Sequence, residues 1–118
     1  PDRILIGHLD RNMDWDYHKR VADRGVYFGY DQISKHKYYP DSDRIDFIAV
    51  ASAEGYGSQL MLSMDLARQS DFSAYGGEPG HRYFMKNFVP RLRSAGFPED
   101  FIHKLIRENP KRALTIAT

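Results

Sequence analysis

The chain has 118 residues, 42% of them hydrophobic and 28% charged, with a formal net charge of +1. This length supports one small domain with a core of its own, and the near-neutral charge removes the electrostatic case for nucleic acid or an anionic membrane as partner. Cysteine is absent, which excludes disulfides, a thiolate nucleophile and a cysteine-ligated zinc. No apolar run approaches the roughly 20 residues of a membrane span. No secretory leader is visible, so a cytoplasmic location is expected. The start at Pro1-Asp2-Arg3-Ile4 falls almost directly on a strand and reads as a cut edge rather than a natural N-terminus.

Arg3–His8 is a short β-type run, apolar on both faces like a covered parallel strand, and it ends in Gly-His. The polar loop Leu9-Asp10-Arg11-Asn12 offers N-cap residues for a helix over Met13–Arg24, with Met13, Tyr17 and Val21 on one stripe, His18 and Ala22 beside it and Gly25 as its stop. His18, inside that helix, is expected at its surface, as is His103 further on. Val26–Asp31 is the second strand. After a long aromatic loop, Asp41-Ser42 caps a helix over Asp43–Glu54 whose stripe is Ile45, Ile48, Ala49, Ser52 and Ala53. Gln59–Ser63 is the third strand, exiting at Asp65. The loop Leu66–Gly80 leads to a helix over His81–Ser94, with Met85, Phe88, Val89 and Leu92 inward and a break or kink at Pro90. A helix starting at Pro98 carries Phe101, Ile102, Leu105 and Ile106 inward; Asn109-Pro110 interrupts it, and a short last helix covers Lys111–Ile116. The order β-α-β-α-β-α-α predicts a parallel α/β unit. Three strands are too few to close a barrel, which takes about eight.

The strand exits carry the chemistry. His8, Asp31 and Asp65 follow the ends of three successive strands, and in a (β/α) barrel those ends converge at one mouth. A histidine and a carboxylate are nitrogen and oxygen donors suited to a divalent transition metal, and a carboxylate there can also accept a proton. The alternatives at each position are a hydrogen-bonded loop histidine for His8, a capping carboxylate for Asp65 and a structural acceptor for Asp31.

Four ordered stretches then carry a resemblance: Ile4-Leu5-Ile6-Gly7-His8-Leu9-Asp10; Tyr30-Asp31-Gln32-Ile33-Ser34-Lys35 with Lys37-Tyr38-Tyr39-Pro40-Asp41; Leu62-Ser63-Met64-Asp65 with Arg68; and Glu108-Asn109-Pro110-Lys111-Arg112-Ala113-Leu114. Across essentially the whole chain they resemble the C-terminal part of the phosphotriesterase-like branch of the amidohydrolase superfamily. The resemblance implies an α/β fold, the portion of a TIM (β/α)8 barrel around strands six to eight, with residues 1–118 as one part of a single hydrolase barrel and strands one to five outside this chain. It implies two divalent metal ions in the intact enzyme, zinc first and manganese, cobalt or iron as alternatives. His8 and Asp65 are then metal ligands, and Asp65 is also the catalytic proton acceptor. Asp31, Lys35, Arg68 and Tyr75 become substrate-binding candidates. The substrate would be a small-molecule ester, lactone or phosphoester.

Gln32 stands where organophosphate-degrading members carry a histidine, and Arg11 where they carry an outer carboxylate, so their proton relay is not expected here. The ligands that the family takes from earlier strands are not in this chain, which alone is expected to be inactive. The alternative is a non-catalytic half-barrel that self-assembles, as a homo-oligomer such as a dimer, or complements the missing N-terminal part.

Overall fold

A computed structural model describes residues 3–116; the expected cut edge at Pro1-Asp2 lies outside them. Three parallel strands, β1 (Leu5–Ile6), β2 (Tyr27–Tyr30) and β3 (Leu60–Leu62), form one sheet in the order β1-β2-β3. Leu5 lies opposite Tyr27, Phe28 opposite Leu60, and Tyr30 opposite Leu62. The helical crossovers are α1 (Trp15–Ala22) and α2 (Asp41–Ala53), and α3 (Val89–Ser94), α4 (Glu99–His103) and α5 (Asn109–Leu114) follow β3. The parallel α/β order expected from the sequence is therefore the order found.

The central strand β2 is buried because both its edges are paired. Phe28 and Tyr30 meet Ile33, Ile48, Leu60, Phe88, Val89, Leu92 and Leu105 in the core. β1 is different. Ile4, Leu5 and Ile6 are 49%, 48% and 38% exposed, which corrects the expectation of a strand covered on both faces. It is an edge strand, and among the described residues only β2 pairs with it.

Two helices bury faces turned from the expected stripes, although Ala22 beside the first stripe and Ile45 and Ile48 of the second are buried as expected. In α1, Asp14 caps the N-terminus by accepting from the Tyr17 N–H, and the inward residues are His18 and Ala22, with Tyr17 partly exposed. His18 is fully buried, not at the surface as expected. Its ring lies 2.8 Å from the Tyr30 hydroxyl and 2.6 Å from the Asn12 carbonyl, so both nitrogens are satisfied and the ring can replace an apolar side chain. In α2 the inward face is Asp41, Arg44, Ile45, Ile48 and Ala51, while Ala49 and Ala53 face out. The helix is rotated from the expected stripe because Arg44 turns inward to a buried ion pair described below.

The chain stays helical through both Pro90 and Pro110. A π-helical turn, Phe84–Phe88, runs directly into α3, and another, Lys104–Glu108, joins α4 to α5. Pro90 and Pro110 each come two residues after such a turn. The wider turn accommodates the missing N–H and displaces the carbonyl that the proline ring would strike. Met85, expected inward, is 55% exposed, since the π turn shifts the 3.6-residue phase. Asn109 is buried, and its amide donates to the carbonyls of Gly57 and Leu60, both at 2.7 Å, fastening α5 to the approach and start of β3.

Candidate active site at the strand exits

The C-terminal ends of the three strands open on one mouth, where His8, Asp31, Gln32, Lys35 and Asp65 meet. His8 and Asp65 both have left-handed backbone, with φ of 61° and 50°. Such a conformation costs a non-glycine residue about 1–3 kcal/mol and is concentrated at functional sites. The His8 N–H donates to the Asp31 carboxylate at 3.1–3.2 Å, and the ring Nδ1 lies 2.7 Å from Asp31 Oδ1. With Nδ1–H donated to Asp31, the Nε2 lone pair is left facing outward on a side chain that is 54% exposed. The hydrogen bond that His8 donates to Asp31, followed by the Asp31 charge, raises the His8 pKa.

Gln32 is buried and joins the group from beneath. Its amide donates to Asp31 Oδ1 at 2.9 Å and to Asp65 Oδ2 at 3.1 Å. Lys35 Nζ donates to the Asp65 carbonyl at 2.6 Å and stands 3.7 Å from its carboxylate. The Gln32 hydrogen bond, with the charges of Lys35 and His8, holds the Asp65 carboxyl below its ordinary pKa against a smaller opposing effect of burial. Asp65 is therefore an anion across the neutral range.

Of the expected substrate contacts, Lys35 and Arg68 line one hollow of about 390 Å³ beside Asp65, together with His36, Lys37 and Tyr38. Asp31 faces elsewhere: it holds the His8 ring and, with Asp65, borders a smaller hollow of about 190 Å³ along Leu5, Gly29 and Met61. Tyr75, in the 3₁₀ turn Ser73–Tyr75, is 68% exposed and does not line either hollow.

Sequence reasoning missed the layer below. Asp10 is fully buried, accepts the N–H groups of Asp31 (3.0 Å) and Gln32 (2.8 Å), and pairs with Arg44 Nε at 2.7 Å. Arg44 reaches on to Asp41 Oδ1 at 3.1 Å and to the Tyr39 carbonyl. Asp41 also accepts from the Ser34 N–H at 3.0 Å and from the Tyr83 hydroxyl at 2.6 Å. Burial and the neighbouring Asp41 push the Tyr83 hydroxyl up to about 12. Asp10 had been read only as a capping residue. Its signal in sequence is its place two residues after the His8 exit, with an arginine at a core register of the α2 pattern.

His8 and Asp65 offer a nitrogen and an oxygen donor of the kind a divalent metal takes, and the carboxylate on the far ring nitrogen of His8 is the usual support for a metal-binding histidine. Among the described residues no three His, Asp or Glu side chains are grouped to hold a metal ion. The residues present therefore fit one side of a metal site. Among the described residues no helix is long and apolar enough to cross a membrane.

A parallel β/α unit with its polar residues gathered at the strand exits places its site where α/β proteins, barrels among them, carry theirs. The chain matches the phosphotriesterase family over residues 2–114, and it belongs to that family. It is 36% identical to the phosphotriesterase homology protein of Escherichia coli K12, over 93% of this chain and 37% of that protein. It is 32% identical to a phospho-furanose lactonase of Mycoplasmopsis synoviae, over 97% of this chain and 34% of that protein. Among solved structures, a lactonase from Listeria monocytogenes superposes with a TM-score of 0.92 at 38% identity, over 99% of this chain and 37% of that one. The crystal structure of the Escherichia coli protein, with phosphate in its active site, superposes with a TM-score of 0.88, over 94% of this chain and 38% of that one. The chain thus spans little more than a third of the length of these relatives.

Proposed function

We propose that this chain is the C-terminal part, strands six to eight with their helices, of a metal-dependent hydrolase barrel acting on a lactone or ester that carries a phosphate. The observation that carries the reading is the hollow in which Lys35, Lys37 and Arg68 outnumber the carboxylates of Asp65 and Asp71. A phosphate-bearing lactone would place its anion against those cations and its carbonyl toward Asp65 and His8. The names of the Mycoplasmopsis relative and of the phosphate-bound Escherichia coli structure support the same substrate class.

His8 Nε2 and the Asp65 carboxylate would hold the metal from this side, and other ligands would come from the remaining barrel strands. When bound, a divalent metal polarises a carbonyl or phosphoryl oxygen and makes bound water acidic near neutral pH. Asp31 fixes the ring tautomer of His8. Asp65, kept ionised by Gln32 and Lys35, accepts the proton from the attacking water. Gln32 cannot pass that proton inward, because an amide does not titrate, so it leaves toward solvent on the exposed side of Asp65.

The test uses the whole protein that carries this chain, loaded with zinc, manganese or cobalt, and assayed on lactones with and without a phosphate group. The expected result is turnover of the phosphorylated lactone, with KM raised about 10-fold or more by Lys37→Ala or Arg68→Ala and kcat little changed, as for a lost binding contact. Equal turnover of both lactones, untouched by either substitution, would remove the phosphate from the proposal.

The exposed apolar edge at Ile4, Leu5 and Ile6 favours a second reading, in which the chain alone associates with itself or with the remaining strands. Sedimentation of the isolated chain as a monomer would count against that reading. A cytoplasmic location belongs to the proposal and is read by cell fractionation.

A further inference from the structure

We infer that Asp10 is a positioning residue: a buried carboxylate clamp that sets the backbone at Asp31 and Gln32, and through them the side chains of His8 and Asp65. The inference rests on the proposed hydrolase reading for its catalytic consequence, while the clamp itself stands on geometry. Asp10 lies in the turn after β1, yet its oxygens are spent on the next strand exit. Oδ1 takes the Asp31 N–H and Oδ2 takes the Gln32 N–H and Arg44 Nε. These are the two residues whose side chains grip the site, Asp31 on His8 and Gln32 on both Asp31 and Asp65.

A neutral acceptor could satisfy the two N–H groups. A charge is needed because Arg44, also fully buried, brings a cation to the same oxygen. Arg44 in turn is held by Asp41 and the Tyr39 carbonyl, so the clamp is anchored in the first turn of α2 and the loop before it. Asp10 itself is fully buried and lines neither hollow. Its effect on the reaction would therefore pass entirely through its partners. Asp10→Asn keeps the shape but turns an amide donor toward Arg44 or toward a backbone N–H. With the amide nitrogen in the Oδ1 place the Asp31 N–H loses its acceptor, and in the Oδ2 place the Gln32 N–H and Arg44 Nε both lose theirs.

The experiment has two arms. In the unsubstituted chain, NMR couplings across hydrogen bonds should link the Asp31 and Gln32 amide nitrogens to the Asp10 side-chain carboxyl carbon, and both amides should exchange slowly. Absent couplings with fast exchange would overturn the clamp without any variant having to fold. In the whole enzyme, Asp10→Asn should lower kcat about 10-fold or more while KM moves less than about 3-fold, and should shift the His8 ring and Gln32 side-chain amide resonances. Unchanged kcat, or a loss of stability with those resonances in place, would reduce Asp10 to a structural residue. If the unsubstituted enzyme hydrolyses no lactone or ester, the hydrolase reading fails, and the NMR arm still decides the clamp.

Discussion

His8 and Asp65 hold the same unusual backbone conformation at the exits of strands two apart in the sheet. Asp31 and Gln32 from the strand between them supply the hydrogen bonds that aim both side chains. That arrangement makes the residue-scale expectations sharp. Asp65→Asn in the whole enzyme should reduce kcat by about 100-fold or more, the scale of a lost general base, with the fold preserved by circular dichroism; retained turnover would deny Asp65 its role. His18 gives a pH prediction of known sign. Burial lowers its pKa from 6.5, so the folded chain keeps it neutral while the unfolded chain takes up a proton. The folded state then binds fewer protons, and stability present above pH 6.5 is lost as pH falls from there toward the depressed folded value. Urea unfolding between pH 7 and 5 should show a weaker pH dependence in His18→Gln than in the parent chain. The half-exposed His8, whose pKa is raised, acts in the opposite direction and offsets part of the slope.

At the scale of elements, the packing of α2 and α5 depends on polar groups. Removing Arg44, as in Arg44→Met, leaves the buried Asp10 without its cation. The expected loss is about 3–5 kcal/mol by denaturant unfolding, as for a broken buried pair; a loss under about 1 kcal/mol would show the pair to be dispensable. Asn109→Ala strands the Gly57 and Leu60 carbonyls and should cost about 2–4 kcal/mol, from two unsatisfied buried groups. These elements also show where sequence was legible. The strands, their parallel order and the polar exits could be read because apolar runs ending in His8, Asp31 and Asp65 are local signals. The face of α2 could not, because Asp41 and Arg44 look like surface residues until Asp10 is known to lie opposite. The uninterrupted passage through Pro90 and Pro110 was hidden for a related reason: proline marks a helix end unless a π turn precedes it, and no residue pattern announces that turn.

At the scale of the molecule, one edge of a three-stranded sheet is apolar and open, and among the described residues no third His, Asp or Glu joins His8 and Asp65 to hold a metal ion. Family membership was legible in motifs spread along the chain. The orienting layer of Asp10, Arg44 and Asp41 was not, since it exists only when β1, β2 and α2 are folded together. Both features fit the proposal that this chain contributes one side of a larger barrel's mouth. The measurement that tests that claim most directly is hydrolysis of a phosphorylated lactone by the whole protein after chelation and metal return, in the parent and in His8→Ala. Turnover lost on chelation, restored by zinc, manganese or cobalt in the parent and not restored in His8→Ala, is the predicted result. Turnover that survives chelation, or that His8→Ala leaves intact, would contradict it.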